Sequence, residues 1–396
     1  MTRTIAANYI FPVSSPPIRN GYVKVSDNGE VISTGTLEEE SESTEFYNGI
    51  ICPGFVNAHC HIELSHLKGK FTEGSGMSGF INQINELRES APKEERVALI
   101  RKEMEQMYSE GVTGLGDISN CDESFAVKRD SPILSRTFIE VFGTEPHDVP
   151  GIIRNALDLR RNASEYGIRA SVTPHSPYTM SPELLGAACA EGLKDGYISY
   201  HNQESQEEDD MFLTGTGALA ENYRGRGLST PAVTGRPAIF HFLEALRKIH
   251  RPPFNEHILL VHNTVTSEEC IDAALSMLSA PYWVTCPKSN IFIHRRLAPI
   301  PLLARKGARI AIGTDSLSSN HELSMIKEMA LLQKSFPEIC FEDILQWACL
   351  NGAMALGMDD TAGSITPGKR PGIVLVDNFD FRKMRLTDKS TSRRII

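Results

Sequence analysis

The chain is predicted to be an α/β protein, a (β/α)8 TIM-like barrel with a small composite β-sandwich built from both termini. Three observations predict it. Apolar strand-like runs alternate with helix-periodic segments over residues 51–360, β-type segments stand at both ends, and histidines and carboxylates fall just past the predicted strands.

Residues 1–50 read as the N-terminal part of the sandwich. Short strands over 22–25, 31–33 and 46–51 are separated by turn signals at Asp27-Asn28-Gly29 and Asn48-Gly49. The Glu-rich stretch 38–45 is expected to be a solvated loop. Barrel strands are predicted at 51–58, 112–117, 133–142, 168–172, 197–200, 258–261, 282–285 and 309–312. Between them, apolar residues near i, i+3 and i+4 mark helices over 93–110, 151–166, 181–194, 236–250, 267–279 and 299–306. Ser90-Ala91-Pro92 and Ser181-Pro182-Glu183 read as helix starts, with Ser at the N-cap and Pro near the first turn. Residues 361–396 complete the sandwich around 368–377, and the basic, polar tail 383–396 is expected to fray.

Composition limits the function. A hydrophobic fraction of 41% is ordinary for a soluble globular chain, and the 396 residues suffice for a large domain plus an accessory module. The net charge of −10 argues against a nucleic-acid partner, whose phosphates call for a basic face. Eight scattered cysteines with no C-x-x-C pair suit a reducing compartment. The first residues are too short an apolar run for a signal segment, and no run approaches the roughly 18 residues of a membrane span. A cytoplasmic protein with no membrane partner is expected.

In a barrel, chemistry gathers at the C-terminal ends of the strands. The first predicted strand runs into Pro53-Gly54-Phe55-Val56-Asn57-Ala58-His59-Cys60-His61. Alternation along a strand points His59 and His61 to one face and Cys60 to the other, where it packs as buried filler. Strand four ends in Thr173-Pro174-His175, strand five in His201 followed by Asn202-Gln203-Glu204, strand six in His262, and strand eight in Gly313-Thr314-Asp315. Three imidazoles and one carboxylate can hold one divalent metal, Zn²⁺ or Fe²⁺, with a position left for water. Such a metal lowers the pKa of that water and generates a hydroxide nucleophile. Glu204, three residues past His201, is placed to supply a proton to the attacked group.

The set of motifs resembles the amidohydrolase superfamily, close to its cytosine deaminase and adenosine-type (chlorohydrolase-like) deaminase branch. The matching stretches are P-G-F-V-N-A-H-C-H at 53–61, P-H-S-P-Y-T at 174–179, H-N-Q-E at 201–204, L-V-H-N at 260–263, G-T-D-S at 313–316 and G-x-I-T-P-G-K at 363–369. The resemblance implies that His59, His61, His201 and Asp315 are metal ligands. It implies that His262 polarises the attacking water, Glu204 shuttles a proton to the substrate, and Asp315 takes a proton from the water. His175 would contact substrate. Binuclear relatives carry a carboxylated Lys at the end of strand four, where this chain has Thr173-Pro174-His175, so one metal is expected. The other zinc deaminase design, H-x-E with P-C-x-x-C, is absent: Cys286-Pro287 has the reverse order.

Asn290 and Ser316 lie near the predicted mouth and are read as substrate contacts, with Lys288 and the rest of 316–320 beside them. Glu207, Glu208, Asp209 and Asp210 are read as surface charge, and His66, His241, His250, His257, His294 and His321 as structural or surface residues. The expected activity is metal-dependent removal of an exocyclic amine from an aromatic heterocycle, a purine-nucleoside-like compound or free base, with release of ammonia. Two readings stay open beside it: a same-fold hydrolase that removes chloride or alkylamine or cleaves an amide or formimino bond, and a catalytically silent metal-binding protein. Substrate choice is expected to reside in the stretch 63–82, which lacks the ribose-holding acid of adenosine-type relatives in its 77–82 part. Self-association is open.

Overall fold

The computed structural model describes residues 2–38, 44–145 and 147–396. Strands β1 (Thr2–Ile10), β2 (Ile18–Ser26), β3 (Val31–Thr36) and β4 (Thr44–Pro53) lead the chain. Eight more follow, interleaved with helices: β5 (Phe55–Cys60), β6 (Val112–Ser119), β7 (Leu134–Val141), β8 (Arg169–Pro174), β9 (Tyr197–Asn202), β10 (His257–His262), β11 (Tyr282–Thr285) and β12 (Arg309–Ile312). Strands β13 (Ile373–Asp377) and β14 (Thr391–Arg394) come last.

The central eight strands form two parallel four-stranded sheets, β5-β6-β7-β8 and β9-β10-β11-β12. Their edges meet at two seams. At one, Thr314 N and Asp315 N both donate to His59 O, at 3.0 and 3.1 Å, and Cys60 bridges Asp315. At the other, His201 N donates to His175 O at 3.0 Å and Ser199 N to Thr173 Oγ1 at 2.8 Å. The sheet therefore closes on itself, which removes unpaired edges. Burial on both faces explains why these strands read as continuous apolar runs: β5, β6 and β11 are buried at every position. Closure at the first seam needs Gly313, because a Cβ there would stand 2.7 Å from His59 O and 2.9 Å from His59 N. The helix Pro182–Asp195 starts as expected, with the Ser181 hydroxyl accepting from Leu184 N at 3.2 Å.

Strands from both termini join in one six-stranded sheet, β14-β13-β4-β1-β2-β3. β2 alternates buried and partly exposed positions from Gly21 to Val25, and Ile5, Val23, Val25, Ile51, Ile373 and Leu375 share one apolar cluster.

Four expectations change. The predicted strand 51–58 is two strands in two sheets, because the chain breaks at Gly54 and passes from the terminal sheet into the barrel. A Cβ at Gly54 would lie 1.9 Å from Thr113 Oγ1 and 2.5 Å from Pro371 O, so the crossing admits only glycine. The tail does not fray: β14 pairs with β13, and Arg394 donates to Val112 O at 2.8 Å and Tyr108 O at 3.0 Å. The helix predicted from Ser90 begins at Lys93 after Pro92, and the Ser90 hydroxyl accepts from Lys70 Nζ at 3.0 Å. Of the Glu-rich stretch, 39–43 lie outside the described residues, while Thr44 and Glu45 open β4, with Glu45 paired to Arg3 at 2.8 Å.

Among the described residues no helix is long and apolar enough to cross a membrane. All eight cysteines are free.

Candidate functional site

The strand-end histidines converge. His59 is the penultimate residue of β5 and His61 follows the strand, their ring centroids 5.0 Å apart. Cys60, between them, turns away into the main apolar core. His201, on β9, brings its Nε2 to 3.2 Å from His61 Nε2. Asp315, three residues past β12, places Oδ1 3.7 Å from His61 Nε2 and 3.9 Å from His59 Nε2. Within the same space the ligand atoms of His59, His201 and His262 lie within 4.8 Å of one another, as do those of His59, His61 and Asp315.

The donor set suits a cation. Both ring nitrogens of His59 are buried without a hydrogen-bond partner, an arrangement that costs roughly 1–3 kcal/mol per group unless something binds there. His201 Nδ1 donates to His175 O at 2.9 Å, which assigns the proton to Nδ1 and leaves the Nε2 lone pair facing His61. Burial first, and then the neighbouring imidazoles, push the His59, His61 and His201 rings below their ordinary range. They are therefore neutral at pH 7, the form that ligates. Burial works to raise the Asp315 carboxyl, but His61, His262 and the hydroxyls of Ser289 (2.6 Å) and Ser319 (2.7 Å) together hold it low and ionised.

Backbone strain concentrates at the same place. Gln203, His262, Asn263 and Asp315 all have positive φ (47°, 74°, 58° and 57°), unusual for residues with a side chain.

Glu204 lines the same cavity beside His262. Its Oε1 lies 3.5 Å from His262 Nε2 and 3.9 Å from His294 Nε2, and Tyr178 Oη donates to its Oε2 at 3.4 Å. Burial would raise this carboxyl, yet His262, His294 and His201 outweigh it and keep Glu204 below the usual carboxylate range. His262 is fixed in turn: Asn290 Oδ1 accepts from His262 Nδ1 at 2.9 Å.

Several readings of individual residues change here. Glu208 is fully buried, not surface charge: it accepts from Gln203 N at 2.9 Å and Glu204 N at 3.0 Å, setting the turn that aims Glu204. Glu207 reaches across to the helix Gly76–Leu87, accepting from Met77 N (2.9 Å), Ser78 N (3.0 Å) and Ser78 Oγ (2.6 Å). It caps that helix from a distant segment, as a carboxylate at a helix N-terminus does. Asp209 is buried as well. His294 faces Glu204 instead of lying apart from the site. Lys288 pairs with Glu322 at 2.9 Å.

A cavity of about 360 Å³ opens onto this cluster, within the range of small-molecule sites. Its inner end is polar, with His61, His201, Glu204, His262, Asp315 and Ser316. One wall is apolar, made by Met77, Phe80, Ile81 and Ile84 of the helix that Glu207 caps, and Arg226 is also among the lining residues. His175 lines the cavity, whereas Asn290 is buried behind His262 and does not. The stretch 63–82 supplies Leu64, Met77, Phe80 and Ile81 to the lining, and its Glu63 is buried and paired with Arg88 at 2.9 Å. Glu140, near the end of β7, also lines the cavity, and burial pushes its carboxyl up to about 8. The sequence hid it inside the long predicted strand 133–142, where an acid on an apolar run was the only signal.

The family model of the amidohydrolase family matches residues 50–392. A Helicobacter pylori adenosine deaminase is 26% identical over 355 residues, covering 88% of this chain and 83% of the relative. The structure of Helicobacter pylori aminofutalosine deaminase in complex with methylthio-coformycin superposes with a TM-score of 0.80 at 23% identity, covering 96% of this chain and 94% of that one. An adenosine deaminase from Xanthomonas campestris with bound zinc gives a TM-score of 0.74 at 21% identity, over 94% of this chain and 84% of that one.

Proposed function

The chain belongs to the amidohydrolase family, and from that premise we propose that it is a metal-dependent deaminase of a purine-like heterocycle. It would replace the exocyclic amine by oxygen and release ammonia. The observation that carries this reading is that two carboxylates, Asp315 beside His59 and His61 and Glu204 beside His262, line one cavity with the cluster of imidazoles.

His59, His61, His201 and Asp315 would hold one divalent cation, Zn²⁺ by the N/O character of the donors, with Fe²⁺ suited to the same set. When bound, it acidifies a water molecule and so supplies a nucleophile near neutral pH. The residues of the chain manage the protons. Glu204, ionised in the free protein, accepts one proton of the attacking water and passes it to the ring nitrogen beside the amine-bearing carbon. Asp315 accepts the second and returns it to the amine. The carbon gains oxygen and loses nitrogen, so both protons of one water are used and neutral ammonia leaves. His262, clamped by Asn290, orients the water against Glu204. His175 and Ser316 meet the substrate from the lining.

Relatives whose names specify adenosine or aminofutalosine support a purine nucleoside as the substrate class. A cavity of about 360 Å³ lined by Asp315, by an apolar wall and by Arg226 has room for a substituent beyond the ring. The free thiols support our placing the protein in the reducing cytoplasm.

An ammonia-release panel over aminopurine nucleosides, free bases, pterins and triazines, run with metal-replete protein, decides the reading. Ammonia from at least one purine nucleoside is expected. Release of chloride or alkylamine from a triazine with no ammonia from any ring amine would replace it, and metal analysis of the active protein separates Zn²⁺ from Fe²⁺.

A further inference from the structure

Glu140 is the buried acid of the cavity that the proton transfers above leave unused. Its side chain is 3% exposed. Asn120 Nδ2 donates to Glu140 Oε2 at 3.3 Å and to the Glu140 carbonyl at 3.0 Å, which holds the carboxyl by one edge. The other oxygen, Oε1, is buried with no hydrogen-bond partner. It lies 3.6 Å from His201 Nδ1, but that N–H is already given to His175 O. It lies 3.8 Å from His175 Nε2, beyond hydrogen-bond reach.

His175 mirrors this arrangement. Its Nδ1 is taken up by the hydroxyls of Ser176 (2.9 Å) and Thr179 (2.8 Å), and no hydrogen bond reaches its Nε2, which is on the Glu140 side of the cavity lining. Two polar atoms with no satisfied partner thus stand side by side on one wall. A buried carboxylate oxygen is normally satisfied, and the partly exposed His175 ring stands beside it on the cavity lining, so a ligand that reaches both atoms is the economical explanation.

We infer that Glu140 and His175 together recognise a hydroxyl group on the substituent of the heterocyclic substrate. A hydroxyl is donor and acceptor at once, and so can bridge the carboxyl oxygen and the imidazole nitrogen. A hydrocarbon substituent would leave both atoms unpaired. The inference rests on the deaminase reading for the identity of the ring, and adds which residues hold a hydroxyl of its sugar.

The test compares ribonucleosides with their 2′-, 3′- and 5′-deoxy analogues on three proteins: wild type, Glu140→Leu and Glu140→Gln. Zinc content and thermal melts confirm that each variant is folded and loaded. Wild type should lose affinity by about 10–100-fold for the one analogue lacking the recognised hydroxyl. Glu140→Leu should raise KM on the full ribonucleoside by the same factor with kcat within about threefold, and Glu140→Gln, which keeps an acceptor, should recover part of it. Toward the critical deoxy analogue, wild type and Glu140→Leu should be alike. If Glu140→Leu weakens all analogues equally, lowers kcat alone, or loses zinc, Glu140 positions His201 and the inference fails. Nucleoside Kd values measured by calorimetry judge Glu140 by the same comparison even if wild type deaminates nothing, an outcome that overturns the deaminase reading instead.

Discussion

Glu204→Gln should leave a folded, metal-replete protein whose turnover falls by about 10²–10⁴-fold, the usual share of a positioned acid–base group. The substitution keeps the shape of the side chain and its contacts with Tyr178 and His262, and removes only the capacity to accept and release a proton. The carboxylate lies 3.5 Å from His262 and is not one of the four groups assigned to the cation, so the metal should be retained. Metal analysis and steady-state ammonia release check both halves of the expectation. Activity within tenfold of wild type would remove Glu204 from the reaction, and loss of metal would show that it serves the cation instead.

Lys128→Met should be among the most destabilising single changes outside the site. Lys128 Nζ rests on the Asp117 carboxylate with both side chains fully buried, and it also donates to Thr137 Oγ1 at 2.8 Å and Ser119 Oγ at 3.2 Å. Removing the lysine strands a buried carboxylate, which costs about 3–5 kcal/mol. The effect reaches the site, because Asp117 Oδ1 accepts from Ile62 N at 2.8 Å, and Ile62 follows His61 directly. Chemical denaturation should show the loss, with weakened metal retention beside it. Adding Asp117→Asn should recover most of it, since the amide still accepts from Ile62 N without a charge to desolvate. A Lys128→Met protein within about 1 kcal/mol of wild type would show that the pair contributes little beyond its own desolvation cost.

The cluster of strand-end histidines and Asp315 was legible because a parallel barrel translates sequence into position. Every strand points the same way, so the residue after each apolar run arrives at one rim, and His59, His201, His262 and Asp315 meet there although 256 residues separate the first from the last. Local pattern also reads the helix start at Ser181, whose side chain and backbone satisfy a rule confined to four residues.

Other features depended on which distant groups happen to face each other. Glu207 and Glu208 look alike in sequence, adjacent acids on one polar run, yet one caps a helix more than 120 residues away and the other holds the backbone of Glu204. Nothing local distinguishes either from a solvated acid, because what makes them structural is the N–H groups brought to them by folding. The break at Gly54 is of the same kind: a continuous apolar run becomes two strands because Thr113 and Pro371 close in on that one position.

The sequence by itself therefore determined the architecture and which histidines and carboxylates gather at one rim, since strand direction and residue order suffice for both. Only the tertiary structure decided how Glu204 is aimed, that His294 faces it, and that Glu140 stands with a free oxygen beside His175. Those outcomes rest on hydrogen-bond partners supplied by remote segments, and a pattern of residue types carries no record of which partner arrives.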